Sequence, residues 1–238
     1  MTPSARPIAV RRLGTTAYPD ALEAMRRFTR ERVGGQGHAD EIWLTDHPPV
    51  YTLGFASRPE HVRETGSIPV VTTERGGEVT YHGPGQAVAY LLLDLRARGI
   101  GVRELVCRVE AGVIACLAGY GIQAFRRERA PGIFVARERA TATAPSSGTA
   151  TMPRGRPPDL GDVAKIASIG LKVSRGFTWH GVALNGAMDL EPFGRIDPCG
   201  FAGLRMTDVR REAAAGMDVR FDDLSERLGA ALAGSIGG

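Results

Sequence analysis

Lysine is almost missing from this chain: Lys165 and Lys172 stand against 28 arginines. Cysteine is nearly as scarce, three in 238 residues, and so small an odd number excludes a disulfide framework. No apolar run approaches the ~20 residues that cross a bilayer, the longest being Ala87 to Leu93. Met1 to Gly14 carries Arg6, Arg11 and Arg12 with no apolar segment behind them, so no secretory signal is read there. The five histidines show no His-Glu-x-x-His spacing and the cysteines no Cys-x-x-Cys pair, so neither a metal nor another cofactor is expected. Aromatic residues make up only 6%, the arginines are dispersed despite a net charge of +4, and no recognised binding motif is present, which argues against nucleic acid as a partner.

What remains is ordinary globular material, 43% hydrophobic and 24% charged, with 31 glycines and 15 prolines. This length and balance suit one cytoplasmic domain with its own core. Codon usage accounts for most of the arginine excess. An ammonium can release its proton near neutrality, however, whereas a guanidinium cannot. A lysine in such a chain marks a place where arginine would not serve.

Apolar spacing predicts helices over 18–33, 103–120 and 222–233, the last from Leu224, Leu228 and Leu232. Short β-type runs fall at 41–45, 50–53, 70–73, 78–81, 87–95 and 133–136, separated by Gly and Pro turn signals, and two longer ones at 166–174 and 177–185 meet at Arg175-Gly176. Strands grouped around a few helices, without regular alternation, indicate an α+β fold. Residues 137–161, rich in Ala, Thr, Pro, Ser and Arg, read as a flexible insertion within a single domain spanning 1–238.

Cys107 and Cys116 fall inside a predicted helix and read as small hydrophobes. Cys199 instead follows Pro198 and precedes Gly200, in a loop where a thiol can be reached. His47 and His61 read as surface or turn residues. His82 and His180 each precede a glycine near a strand end, and either could partner Cys199 in a Cys-His hydrolase. Lys172, seven residues beyond Lys165 on one predicted strand, is expected on the opposite face.

The densest motif is Arg75-Gly76-Gly77-Glu78-Val79-Thr80-Tyr81-His82-Gly83-Pro84-Gly85-Gln86. It is neither a phosphate loop nor a dinucleotide fingerprint. With Lys165-Ile166-Ala167-Ser168-Ile169-Gly170-Leu171-Lys172-Val173, His180-Gly181-Val182-Ala183-Leu184-Asn185 and Asp197-Pro198-Cys199-Gly200, in that order, it resembles the lipoyl(octanoyl) transferases. The resemblance covers about residues 10–209. It implies the catalytic fold of the biotin/lipoate protein ligase superfamily, a mixed sheet flanked by helices. It also implies octanoyl transfer from octanoyl-acyl carrier protein to lipoyl domains of 2-oxoacid dehydrogenases and the glycine cleavage H protein, by a monomer. A Cys199–Lys165 dyad is implied too, with an acyl pocket lined by Arg75 to His82, by Ser168, Ile169 and Gly170, and by Gly181, Val182 and Ala183. Burying an octanoyl chain is worth on the order of 5 kcal/mol at ~0.8 per methylene, enough to reject much shorter acyl groups. Arg26, Arg27, Arg30, Arg126, Arg127, Arg129, Arg210 and Arg211 are available to dock acidic partners. An ATP-dependent lipoate or biotin ligase is the alternative, but it needs no nucleophilic cysteine.

Overall fold

Tyr18, Leu22, Met25 and Phe28 recur at helical spacing, and in the computed structural model Tyr18–Val33 forms α1 with these side chains buried. Pro19 sits in its first turn, where a missing N–H costs nothing, and Gly34 and Gly35 end it. The structure describes residues 7–127, 130–137 and 160–238, the side chain of Cys199 excepted.

The main sheet has strand order β1-β2-β6-β10-β9-β8-β7, formed by Ile8–Thr15, Asp40–Asp46, Gln86–Leu92, Phe177–Asn185, Val163–Ser174, Ala130–Ala136 and Ala124–Arg127. β1 and β2 are parallel, and the other neighbours on that path are antiparallel. β11 (Arg205–Met206) adds a short parallel pairing to β9 at Ala164 and Lys165. A smaller sheet, β4-β3-β5, is built from Val70–Thr72, Val50–Leu53 and Thr80–His82.

β2 and β6 are buried along their whole length because both faces are covered. On one face, α3 (Val102–Ala118) and α5 (Phe221–Gly237) pack Leu105, Val109, Leu117, Leu224, Leu228 and Leu232 against Ile42, Ala89, Leu91 and Val182. On the other, α1 packs with Trp43, Val88, Tyr90, Leu92, Trp179 and Ala183. This second face carries the site. Two single-turn helices, α2 (Leu95–Arg98) and α4 (Val209–Glu212), start at Asp94 and Asp208, whose carboxylates accept backbone N–H groups of the first turn.

The helices and most strands fall where apolar spacing places them, with some differences. The run expected over 87–95 stops at Leu92 because Asp94 caps α2. The strand expected over 78–81 forms at Thr80–His82. Arg137 N donates to the Asp162 carbonyl at 3.1 Å, closing the β8–β9 hairpin at the base of the expected insertion, most of which lies outside the described residues. His47 is fully buried rather than at the surface, donating from Nδ1 to the Thr16 carbonyl and accepting at Nε2 from the Tyr90 hydroxyl at 2.6 Å. Cys116 is buried and its thiol pushed up to about 11 by that burial, while Cys107 is exposed. Of the proposed docking arginines, Arg26, Arg30, Arg126, Arg127 and Arg211 are already engaged with carboxylates, and Arg129 lies outside the described residues. Among the described residues no helix is long and apolar enough to cross a membrane.

Candidate active site

Lys165 reaches the α1 face of the sheet through an irregularity in β9. Ile133 of β8 pairs with Ala167, but the next residue, Phe134, pairs with Lys165, so β9 carries one extra residue at Ile166. Ile166 and Ala167 both enter the core on the α3–α5 face. Lys165 is thereby placed on the α1 face, the side shared by Ser168 and Gly170. Strict alternation would have sent it into the core. The same bulge puts Lys172 on the face of Lys165, opposite to the simple count: Lys172 pairs with Trp179, which packs in the α1-side cluster.

The lysine is 1% exposed. Its Nζ donates to the Pro131 carbonyl at 2.6 Å and lies 5.6 Å from the centroid of Phe134. Gly132, at φ +129°, makes room for the stem, since a Cβ there would come within 2.9 Å of Nζ. From below, Thr207 N donates to the Lys165 carbonyl at 2.9 Å.

Cys199 sits in a single turn, Pro198–Gly200, closed by Gly200 N donating to the Asp197 carbonyl at 3.0 Å. Arg63 fixes that turn through Asp197 Oδ1 at 2.6 Å and the Ile196 carbonyl at 3.0 Å. Gly200 adopts φ +73°, and a Cβ on it would lie 3.3 Å from both Glu78 Oε1 and His61 Cε1. Glu78 Oε2 in turn accepts from His61 Nδ1 at 3.0 Å. On the far side of the turn, Phe201 and Leu204 pack with Phe134, the ring beside Nζ. The cysteine's turn and the lysine's strand thus share a wall.

Between the loop at 75–80 and strands β9 and β10 lies a narrow, mainly apolar slot of about 50 Å³. A cavity of about 150 Å³ is the size that holds benzene, so an eight-carbon chain requires this slot to widen. Of the pocket residues expected from the resemblance, Arg75, Gly77, Glu78, Val79, Thr80, His82, Ser168, Ile169, Gly170, Gly181, Val182 and Ala183 line it. Gly76 and Tyr81 do not. Gly76 donates its N–H to the Leu171 carbonyl at 2.9 Å, joining the loop to β9. Tyr81 alternates with Thr80 and His82 on β5 and packs outward against Tyr51 and Phe193. Tyr18, Val88, Tyr90 and His180 complete the lining. Val88 and Tyr90 were detectable by alternation along β6; Tyr18 gave no signal beyond its place at the start of α1.

A directional hydrogen-bond chain crosses the site. Arg75 Nε and Nη2 donate to Thr52 Oγ1 at 3.2 and 2.9 Å, leaving that hydroxyl to donate to His82 Nε2 at 3.3 Å. His82 Nδ1 donates to Gln86 Oε1 at 2.7 Å, and Gln86 Nε2 donates to Asn185 Oδ1 at 3.0 Å. Asn185 Nδ2 donates to the Thr207 carbonyl at 2.9 Å, and Thr207 is the residue that holds the Lys165 backbone. Burial holds the His82 imidazole neutral, well below its usual range, with the charges of His47 and Arg75 acting in the same sense. His180 is lowered to about 3, first by burial and then by the Arg75 guanidinium. His47 is lowered mainly by burial. All three present neutral rings near pH 7, suited to shaping the slot rather than to carrying charge.

His180 also has φ +60°, a left-handed backbone that histidine adopts at a cost on the order of 1 kcal/mol. Among the described residues no group of three or more His, Cys, Asp or Glu gathers as a metal site would require.

The slot opens on the α1 face of the mixed sheet with His180 in its lining, while Lys165 is not among the described lining residues. The sequence profile of the lipoyl protein ligase A/B catalytic domain matches residues 17–233, and the chain belongs to that family. A curated octanoyltransferase of Pseudomonas entomophila is 48% identical over 93% of this chain and 88% of its own. That of Ectopseudomonas mendocina is 47% identical over 97% and 98% respectively. In fold, the chain is similar to a bi-partite lipoate protein ligase of Thermoplasma acidophilum, with a TM-score of 0.65 at 14% identity over 97% of this chain and 84% of the other. It is also similar to lipoate-protein ligase A bound with ATP, with a TM-score of 0.60 at 13% identity, over 97% and 85%.

Proposed function

We propose that this protein is an acyltransferase of protein lipoylation that moves an octanoyl group from an acyl carrier protein to a lysine of a lipoyl domain, through a thioester on Cys199. The octanoyltransferase relatives support the reaction, and the slot supplies an apolar bed for the chain. The observation behind the assignment of roles is the bulge in β9, which puts Lys165 on the α1 face, where Phe134 beside its amine clusters with Phe201, two residues after Cys199.

In the first half-reaction the Cys199 thiolate attacks the carrier thioester carbonyl, and the carbon–sulfur bond to the carrier breaks. Lys165, as ammonium, gives its proton to the departing carrier thiolate and is left neutral. In the second half-reaction the acceptor lysine attacks the acyl-Cys199 carbonyl, Lys165 takes up the amine's proton, and Cys199 leaves as thiolate. The dyad returns to its starting state.

Charge pairing alone would not require a lysine. A thiol of pKa ~8.5 is roughly 3% thiolate at pH 7, and lowering it by about two units raises that fraction about 25-fold. The same shift reduces nucleophilicity roughly 6- to 10-fold, so the net gain is only a few-fold. Proton exchange is the task that arginine cannot perform.

Intact mass spectrometry after mixing with octanoyl carrier protein, without ATP, tests this reading. An adduct of octanoyl mass that is absent in Cys199→Ser is the expected result. No adduct in the parent protein, or one that persists in Cys199→Ser, overturns it.

A further inference from the structure

Alternation along β10 assigns His180 to the wrong side for a slot residue. Its cross-strand partner Leu171 packs toward the α3–α5 core, and its neighbours Trp179 and Gly181 belong to the α1 face. The left-handed backbone at His180 reverses this. The imidazole joins Trp179 on the α1 face, with its ring 6.4 Å from those of both Trp179 and Tyr90. Neither ring nitrogen has a hydrogen-bond partner among the described residues, so the ring does not serve to tie the fold together.

Its position along the slot gives it a use. For a chain entering at Ser168 and Ala183, the cross-strand pair of the lining closest to Lys165 along β9, His180 lies at the other end of the lined stretch of β10. From Ala183 to His180 the strand rises about 10 Å at ~3.3 Å per residue. An extended octanoyl chain measures roughly 9 Å at ~1.25 Å advance per carbon–carbon bond. Beyond His180 there is space again: a cavity of about 500 Å³ lined by Arg26, Glu74, Arg175 and Trp179, among others. Glu74 and Trp179, which line the cavity, are the chain neighbours of Arg75 and His180, which line the slot. β10 is flanked on both sides by β6 and β9, which fixes this wall, whereas residues 75–77 lie outside any strand.

We propose that His180 is the end stop of the acyl slot and sets the longest chain the enzyme accepts. This rests on the octanoyl-transfer reading above. With the imidazole removed, the slot opens into the outer cavity and longer chains fit.

The test compares carrier protein charged with octanoyl, decanoyl or dodecanoyl groups, reading kcat/KM and the Cys199 adduct for the parent protein, His180→Gly and His180→Asn. Glycine accepts the left-handed backbone freely and asparagine nearly so. The expected result is a dodecanoyl-to-octanoyl ratio raised about tenfold or more in His180→Gly, and a smaller gain, mainly for decanoyl, in His180→Asn. Should His180→Gly lose its fold, His180→Asn makes the same comparison. Unchanged ratios in variants that still transfer octanoyl overturn the end stop alone. A parent protein that forms no octanoyl adduct overturns the functional reading, and the end stop with it.

Discussion

Gln86 donates its side-chain N–H to Asn185 Oδ1 at 3.0 Å across the β6–β10 pairing, and this contact joins the His82 side of the slot to Asn185, whose amide holds Thr207, the residue that donates to the Lys165 carbonyl. Asn185 must be an amide there, because it accepts from Gln86 while donating to the Thr207 carbonyl at 2.9 Å. Asn185→Asp sets a carboxylate oxygen against that carbonyl. It should lower the unfolding free energy by about 1–3 kcal/mol, measured by urea denaturation near pH 7. An unchanged midpoint would show that the chain is not stabilising.

Lys165→Met keeps the length and apolar stem of the side chain and removes its exchangeable proton. The folded state should persist by circular dichroism, while transfer falls by about 10²–10⁴-fold in single-turnover assays. Lys165→Arg should also lose transfer, despite retaining a positive charge. Near-parental rates in either variant would remove Lys165 from the reaction.

The depressed histidines make stability fall as the solution becomes acidic. An unfolded histidine titrates near 6.5, whereas His180 in the fold titrates at about 3. Between these values the unfolded chain binds the extra proton. The contribution is therefore intact above about pH 6.5 and is lost progressively down to about 3. One such group gives a slope of about 1.4 kcal/mol per pH unit. His180→Asn should remove about that much from the slope between pH 6 and 5, in urea titrations run beside the parent.

Asp40 is buried and receives Arg32 Nη2 and Arg98 Nε at 2.5 Å each, as well as the Asp94 N–H at 2.8 Å. Asp40→Ala leaves two buried guanidiniums without their shared anion and should cost about 3–5 kcal/mol by thermal or urea unfolding. Replacing the exposed Glu23, whose partner is Arg30, should cost well under 1 kcal/mol in the same assay.

Elements with a strong period were legible in the sequence. The α1 and α5 stripes could be read because burial of one face imposes the spacing that apolar residues display, and the strand Phe177–Asn185, buried on both faces, because Arg175-Gly176 marks its start. β1 could not: its side chains are mostly exposed and arginine-rich, and it exists because Ile8–Thr15 pairs in parallel with β2, a long-range contact with no local signature. The motif blocks brought most of the slot lining to attention, but the faces of Tyr81 and Lys172 depend on alternation and its interruption. His47 illustrates the same limit. Flanked by Asp46 and two prolines it reads as a turn, and only the packing of Tyr90 over it shows it to be interior.

The extra residue in β9 marks a place where the strand can shorten without any reactive group changing sides. Deleting Ile166 would restore regular alternation: Ala167 would still pair with Ile133 and Lys165 with Phe134, so the amine would keep its face. What the deletion removes is the isoleucine's own packing between the sheet and the helices behind it.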